Sequence, residues 1–169
     1  LDAYQSNFNG GDSDAFIAKF DPEALSSNTS LVYSTFLGGS GRDKGYAIAV
    51  DNSGNIYEIG ETNSPGLGTE AFPVTPDAYQ NNFVGGLSDA FVTILNPSAA
   101  NPVYSTYLGG EGEEQGFGIA VNARTSESSE CGNAWNVHLT GYTTSTEFPT
   151  VNPYMGMYAG NHDAFVAKF

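Results

Sequence analysis

The feature that most constrains the fold of this chain is an internal repeat. The triplet Asp-Ala-Phe occurs at residues 14–16, 89–91 and 163–165, which is a spacing of about 75 residues. The segment VYSTFLGG at 32–39 recurs as VYSTYLGG at 103–110. Repeats of this length are typical of propellers and other arrays, in which each unit packs on its neighbours. The sequence therefore predicts several copies of one supersecondary unit.

Each repeat contains four segments that alternate as β-strands do. In the one complete unit these segments are residues 45–50, 55–60, 89–95 and 103–108, which we term strands A, B, C and D. Aromatic and β-branched residues fill them, and Gly, Asn, Asp and Pro separate them. No segment shows a helical period. The sequence therefore predicts an all-β chain of β-propeller-type four-stranded antiparallel blades.

These motifs resemble the SBBP repeat, a bacterial β-propeller repeat. The similarity rests on VYSTYLGG at 103–110, GIAV at 118–121, the pattern N-[IV]-x-x-x-G-x-T at 55–62 and DAFVAKF at 163–169. Phe-Pro and Asp-Ala-Tyr-Gln elements occur in the same order, so the similarity covers nearly the whole chain. The resemblance implies a secreted or surface β-propeller, often part of a larger protein, and it brings no catalytic residues.

The chain is out of phase with its own repeat. Residues 1–39 hold a half-blade of strands C and D, residues 40–110 a full blade, and residues 111–169 a partial blade of strands A, B and C. These are about two and a quarter repeats, whereas a closed propeller has at least four blades. We therefore expect that one copy does not close. Either further blades of a longer protein complete it, or copies of the chain do so by strand complementation.

The charge of the chain argues against binding to nucleic acid, and its hydropathy argues against a membrane span. The net charge is −14, with 5 Lys and Arg against 19 Asp and Glu, which opposes binding to nucleic acid. No apolar run is long enough to span a membrane, and no signal peptide is visible at Leu1. An acidic, glycine-rich chain with one cysteine is typical of secreted bacterial β-proteins. We therefore expect an extracellular or cell-surface protein.

Carboxylates near the strand ends are candidate ligands of a metal ion. Asp12 and Asp14 precede the first strand C, and Glu113 and Glu114 follow a Leu-Gly-Gly motif in the last unit. Carboxylate oxygens are the ligands that calcium prefers, so calcium is the one cofactor that the sequence suggests.

The recurring aspartate also has a structural interpretation. Asp14 recurs as Asp89 and Asp163, and a residue that every unit repeats is expected to serve the fold by accepting local hydrogen bonds. A catalytic pair of Glu113 and Glu114 is less favoured, because a polar glycine-rich turn would not raise the pKa of either carboxyl.

A long loop distinguishes the last unit from the others. The turn between strands A and B spans 51–55 in the full blade, but its counterpart is an inserted loop at 122–136. This loop contains the one tryptophan, Trp135, together with Glu127 and Glu130. Loops on a repeated scaffold often carry recognition, and tryptophan is enriched at binding hot spots. The loop is therefore a candidate ligand site, the other interpretation being a surface loop without a function.

The sequence does not favour an enzyme. His138 and His162 are the two histidines, and they lack the spacing of a zinc site, while no serine lies in a Gly-x-Ser-x-Gly motif. We expect a non-catalytic module that acts as a structural scaffold, an adhesive surface or a self-assembling fibre subunit. The alternative is a carbohydrate- or protein-binding module that uses the 122–136 loop. A propeller hydrolase or lyase is the least favoured.

Overall fold

A computed structural model describes residues 3–24, 30–66, 68, 71–122 and 136–169. Within these ranges the chain contains strands and turns but no helix, which confirms the predicted all-β class. No helix of this part of the chain is therefore long and apolar enough to cross a membrane. The strands are β1 (Ala15–Phe20), β2 (Leu31–Leu37), β3 (Asp43–Val50), β4 (Ile56–Thr62), β5 (Asp89–Leu95), β6 (Pro102–Leu108), β7 (Glu114–Val121), β8 (Val137–Thr143) and β9 (Asp163–Lys168).

The strands form three antiparallel sheets. The first sheet is β1-β2, the second is β3-β4-β5-β6 and the third is β7-β8-β9. Neighbours in each sheet are consecutive in the chain, which is the meander of a propeller blade. The second sheet is a blade with strands A to D, while the first holds strands C and D and the third holds strands A to C. None of the three sheets closes on itself in the described ranges.

A β-bulge occupies the same place in strand A of two sheets. The register with strand B shifts around Tyr46 in β3 and around Phe117 in β7, so neither residue has a cross-strand partner. A bulge re-aims the side chain of the extra residue. The two aromatic rings consequently meet between the sheets, with their centroids 5.2 Å apart.

The hydrophobic core lies between the sheets. The second and third sheets share a buried cluster of Tyr57, Ile59, Val92, Ile94, Val137 and Leu139. On its other face, the second sheet packs Ile56 and Leu95 against Ile17 of β1. Because side chains alternate along a strand, each sheet can present one apolar face to each neighbour. The blades therefore stack face to face.

The connection between β4 and β5 returns along the outer edge of β6. The backbone N–H of Thr75 donates to the carbonyl of Ser105 over 3.1 Å, and the N–H of Tyr107 donates to the carbonyl of Gln80 over 3.1 Å. In the first sheet the N–H of Phe36 donates to the carbonyl of Gln5 in the same way. The connecting segment therefore covers the edge of strand D, which would otherwise present unpaired backbone groups.

Candidate functional site

Two buried carboxyl groups meet where the second sheet joins the third. Asp89 begins β5 and Glu114 begins β7, and both are fully buried. Gly109 lies between them: a Cβ on this residue would lie 2.6 Å from Asp89 Oδ1 and 2.7 Å from Glu114 Oε2. We term this arrangement the second junction. It joins strand C of one blade to strand A of the next.

Both oxygens of Glu114 receive hydrogen bonds. The backbone N–H of Gly110 donates to Oε2 over 2.8 Å. The hydroxyls of Thr143 and Ser145 donate to Oε1 over 2.5 and 2.6 Å. Thr143 is the last residue of strand B in the third sheet and Ser145 follows two residues later, so Glu114 fastens strands A and B of its own blade. Hydrogen bonds to the charged form offset the cost of burying this carboxylate.

Asp89 is bonded on one oxygen only. Its Oδ2 accepts hydrogen bonds from the Gln80 side-chain amide, at 2.8 Å, and from the Val84 backbone N–H, at 3.1 Å. Its Oδ1 is buried and has no hydrogen-bond partner. Burial and the neighbouring Glu114 carboxylate both raise the pKa of Asp89, to about 7. Asp89 therefore holds a proton more readily than an ordinary aspartate does.

The first junction, between the first and second sheets, repeats this arrangement around Asp43. Asp43 is fully buried at the start of β3. Its Oδ2 accepts from the Gly39 backbone N–H at 2.9 Å and from the Ser64 hydroxyl at 2.8 Å. Its Oδ1 accepts from the Thr62 hydroxyl. These three donors correspond one by one to those of Glu114, so strand A is fastened alike in two blades.

Asp14 takes the place of Asp89 at the first junction. Its Oδ2 accepts from the Asn9 backbone N–H at 2.9 Å, and its Oδ1 has no hydrogen-bond partner. A Cβ on Gly38 would lie 2.6 Å from Asp14 Oδ1 and 2.9 Å from Asp43 Oδ2. Burial raises the pKa of both Asp14 and Asp43. Asp14 thus lies in the contact between the first and second sheets and also accepts a hydrogen bond from the loop that precedes its own strand.

The recurring aspartate also closes the loop before each strand C. Asp163 accepts a hydrogen bond from the Ala159 backbone N–H at 2.5 Å, as Asp14 and Asp89 do from the equivalent residues. In each unit the next two residues have positive φ, and in the last unit these are Gly160 (107°) and Asn161 (62°). The aspartate therefore has the local hydrogen bond that the structural interpretation requires.

The predicted calcium ligands do not come together as one group. Asp12 is exposed, whereas Asp14 lies beside Asp43. Glu113 is half-buried and accepts from the Gln115 amide at 3.0 Å, whereas Glu114 lies beside Asp89. No group of three or more His, Cys, Asp or Glu residues suited to a metal ion occurs among the described residues. Calcium binding remains a prediction.

The predicted ligand loop lies outside the described residues. Trp135, Glu127 and Glu130 belong to the range 123–135, to which the structural description does not extend. A role of the 122–136 loop in binding therefore remains a prediction.

Sequence reasoning missed Asp43, although a signal for it exists. Asp43 and Glu114 each stand four residues after the second glycine of a Leu-Gly-Gly motif. A Thr-x-Ser triplet begins at the last residue of strand B in both blades, at 62–64 and 143–145. An acidic residue and a hydroxyl pair that recur together at these positions would have indicated a repeated hydrogen-bond cluster.

A second group of charged residues lies at the same end of the second sheet. Glu61 is fully buried and forms ion pairs with Arg42 Nε, at 3.2 Å, and Lys44 Nζ, at 3.1 Å. In the third sheet Tyr142 takes the place of Glu61 and contacts His162, with ring centroids 4.8 Å apart. The cluster varies between blades, whereas the carboxyl junctions are repeated.

The fold and its repeated junctions define the class of protein. Stacked blades of consecutive antiparallel strands, each joined to the next at the same place, form a β-propeller array. The family model described as SBBP, a beta-propeller repeat, matches residues 32–66. This range runs from β2 through β4 and confirms the resemblance seen in the sequence motifs. No curated protein matches the chain.

Proposed function

We propose that this chain is a non-catalytic, extracellular β-propeller repeat module that serves as a structural scaffold, an adhesive surface or a subunit of a fibre. The observation that carries the proposal is that a buried acidic residue is held by hydrogen bonds within its own blade. Glu114 is fully buried and accepts three hydrogen bonds from its own blade. A carboxylate held in this way contributes to the fold rather than to chemistry on a substrate.

Composition supports the proposed location. A net charge of −14 keeps such a surface soluble, and a single cysteine means that the fold does not depend on disulfides within one chain. The alternative of a module for carbohydrate or protein rests on Trp135 and its loop alone.

The first and third sheets, which have fewer than four strands, support the proposal that the partners of this chain are further β-propeller blades. Among the described residues, β1 pairs with β2 alone and β9 pairs with β8 alone. Val166 of β9 is 81% exposed, whereas Val92, at the same position of β5, is 1% exposed beneath the third sheet. A further blade would cover Val166 in the same way. Such blades would belong to the same protein or to copies of this chain.

The structural role of Glu114 is tested by chemical unfolding with and without a chelator. We expect Glu114→Gln to lower the urea midpoint, since it leaves strand A without its charged acceptor. We expect Glu113→Gln, the matched control one residue away, to change the midpoint little. EDTA should leave the wild-type midpoint unchanged. A midpoint that falls in EDTA and returns with Ca²⁺ would instead assign these carboxylates to an ion site.

Assembly is tested separately by sedimentation velocity over a range of protein concentrations. The fibre form of the proposal expects species that grow with concentration. A single species of 17.8 kDa at every concentration would exclude self-assembly and leave a module that needs further blades.

A further inference from the structure

We infer that Asn9 is a site of spontaneous deamidation, and that this modification weakens the first junction between blades. The inference goes beyond the proposed function, because it concerns a chemical change of the chain that alters the contact between its sheets. Asn9 and Gly10 form the one Asn-Gly pair of the sequence. They lie in the loop at 9–14 that precedes strand C of the first sheet.

The reaction uses the Asn9 side chain, the next backbone nitrogen and water. The nitrogen of Gly10 loses its proton and attacks Cγ of Asn9, the bond from Cγ to Nδ2 breaks, and ammonia leaves. The product is a cyclic succinimide. Water then opens the ring at one or the other carbonyl carbon. Cleavage of the bond from nitrogen to Cγ gives aspartate, and cleavage of the bond from nitrogen to the backbone carbonyl carbon gives isoaspartate.

The surroundings of Asn9 and Gly10 leave this reaction open. Asn9 is exposed to solvent. In the described part of the chain no group accepts a hydrogen bond from the Gly10 N–H, which must lose its proton. Gly10 has no side chain to shield its nitrogen, and a Cβ at this position would meet nothing closer than Ser40 Cα, at 3.9 Å. Asparagine is among the thermolabile residues, and here neither neighbour protects it.

The loop does not require an asparagine at this position. The Asn9 backbone N–H donates to Asp14 Oδ2 over 2.9 Å, and the Val84 N–H donates to Asp89 Oδ2 in the same way over 3.1 Å. Val84 is also exposed and is also followed by a glycine. The second junction therefore has an equivalent loop without the reactive amide, so we expect only the first junction to be modified in this way.

Aspartate at position 9 would disturb the acidic pair of the first junction. The Asn9 Nδ2 donates to the carbonyl of Gly38 over 3.3 Å, and a carboxylate cannot donate there. A Cβ on Gly38 would lie 2.6 Å from Asp14 Oδ1 and 2.9 Å from Asp43 Oδ2. The new carboxylate would thus add a negative charge near two carboxyl groups that burial already makes costly to ionise.

Isoaspartate would also displace the loop from the second sheet, because it adds a methylene group to the main chain after residue 9. Gly11 has a φ of 68° and lies so close to Gly41 that a Cβ on it would overlap the Gly41 carbonyl oxygen. Further along the loop, the Asp43 N–H donates to the carbonyl of Ser13 over 2.7 Å. A longer main chain would shift these contacts between the first and second sheets.

The modification is tested by incubating the whole chain at pH 9 and at pH 5, followed by mass spectrometry of the tryptic peptide that ends at Lys19. We expect progressive loss of the Asn9 amide, faster at pH 9 because the attacking nitrogen must first lose its proton. Asn7 is the internal control, since it lies in the same peptide and is also exposed but is followed by Phe8. An Asn9 amide that persists as long as that of Asn7 would overturn the inference.

The effect on the junction is tested with Asn9→Val, which introduces the residue of the second junction and cannot deamidate. Urea midpoints are measured before and after the incubation at pH 9. We expect the wild-type midpoint to fall as the modified fraction rises, and the Asn9→Val midpoint to stay constant. Asn9→Asp, which reproduces one product directly, should unfold at a lower urea concentration than the fresh wild type.

The two parts of the inference fail separately. A wild-type midpoint that stays constant while Asn9 is converted would overturn the link between the modification and the junction. If Asn9→Val does not fold, the incubated wild-type chain compared with the fresh chain and with Asn9→Asp still decides. None of these outcomes depends on whether the chain assembles, so they do not test the proposed function.

Discussion

Glu58 in the second sheet occupies the position that Leu139 occupies in the third. Each pairs with an isoleucine of strand A, Ile48 for Glu58 and Ile119 for Leu139. Leu139 is 1% exposed and belongs to the core between the second and third sheets. Glu58 is 5% exposed on the face toward the first sheet, and its Oε2 has no hydrogen-bond partner. At this position the interface between the second and third sheets is therefore apolar, whereas the interface between the first and second sheets contains a buried acid.

Replacing Glu58 with leucine should stabilise the protein, and more so at high pH. Burial raises the pKa of Glu58 to about 8, so folding is favoured by a bound proton that is lost as the pH rises from the ordinary range of glutamate through 8. Leucine removes this loss of stability at high pH, and it removes the free-energy cost of burying an oxygen that has no hydrogen-bond partner. We expect a gain on the order of 1–3 kcal/mol at pH 9, measured by urea unfolding.

Glu58→Gln is the control for this substitution, because it removes the ionisation but keeps a polar group. It should flatten the dependence on pH without the full gain of leucine. A Glu58→Leu variant that is less stable than the wild type at pH 9 would show that the carboxyl has a partner that stabilises it.

Asp89→Asn should reduce the remaining dependence of stability on pH. The pKa of Asp89 is raised to about 7, so its contribution is present below the ordinary range of aspartate and is lost as the pH rises through 7. Asparagine keeps an oxygen for the Val84 N–H and places an amide beside Glu114. In a Glu58→Gln background, the urea midpoint of Asp89→Asn should therefore fall less between pH 5 and pH 9 than that of the parent.

The exposed Asp12 provides the comparison for Asp89. Asp12→Asn, made in the same background, should keep the slope of the parent. Equal slopes for Asp89→Asn and the parent would mean that Asp89 stays ionised in the folded chain throughout this range.

The repeat made most of the fold predictable from the sequence. The predicted strand C at 89–95 agrees with β5, and strand D at 103–108 differs from β6 by one residue. Strand A was expected to begin at residue 45, whereas β3 begins at Asp43. The difference arises because Asp43 is polar and because the bulge at Tyr46 breaks the alternation on which the prediction depends.

The junctions were harder to predict than the strands. Asp89 and Glu114 meet only because two blades stack with strand C beside the next strand A, and alternation within a strand contains no such information. Adjacent acids, such as Glu113 and Glu114, look paired in a sequence, but successive residues of an extended chain point in opposite directions. Inter-blade pairing was therefore accessible only through motifs compared between units.

Ser145→Ala should destabilise the third sheet. The Ser145 hydroxyl donates to Glu114 Oε1 at 2.6 Å and accepts from the Gly112 backbone N–H at 2.7 Å. Removing a donor from a buried carboxylate costs roughly 1–3 kcal/mol. Urea unfolding of the variant measures this cost. Thr146→Ala is the matched control, since the Thr146 hydroxyl donates to Glu111 in solvent. We expect no measurable change for the control, and equal effects would contradict a special role of the junction.

Tyr107→Phe should preserve the fold but lower its stability. Phe36 occupies the equivalent position of β2, so the repeat accommodates the smaller ring at this place. Tyr107 is fully buried, and its hydroxyl donates to the carbonyls of Ser64 and Pro65 at 3.1 and 3.0 Å. These bonds fix the residues after strand B, where Ser64 also reaches Asp43. The substitution leaves the two carbonyls without this donor and should cost about 0.5–1.5 kcal/mol in urea unfolding.

Tyr79→Phe tests whether the loss of stability comes from the buried hydroxyl of Tyr107 or from the removal of any tyrosine hydroxyl in this blade. Tyr79 is 55% exposed, so its variant should unfold at the wild-type urea concentration. If Tyr107→Phe also unfolds there, water replaces the hydroxyl at no cost, and the loop after strand B does not depend on β6. If only Tyr107→Phe loses stability, strand D of the second sheet stabilises the hydroxyl groups that bond to Asp43. The outer strand of the blade would then contribute to the stability of the first junction.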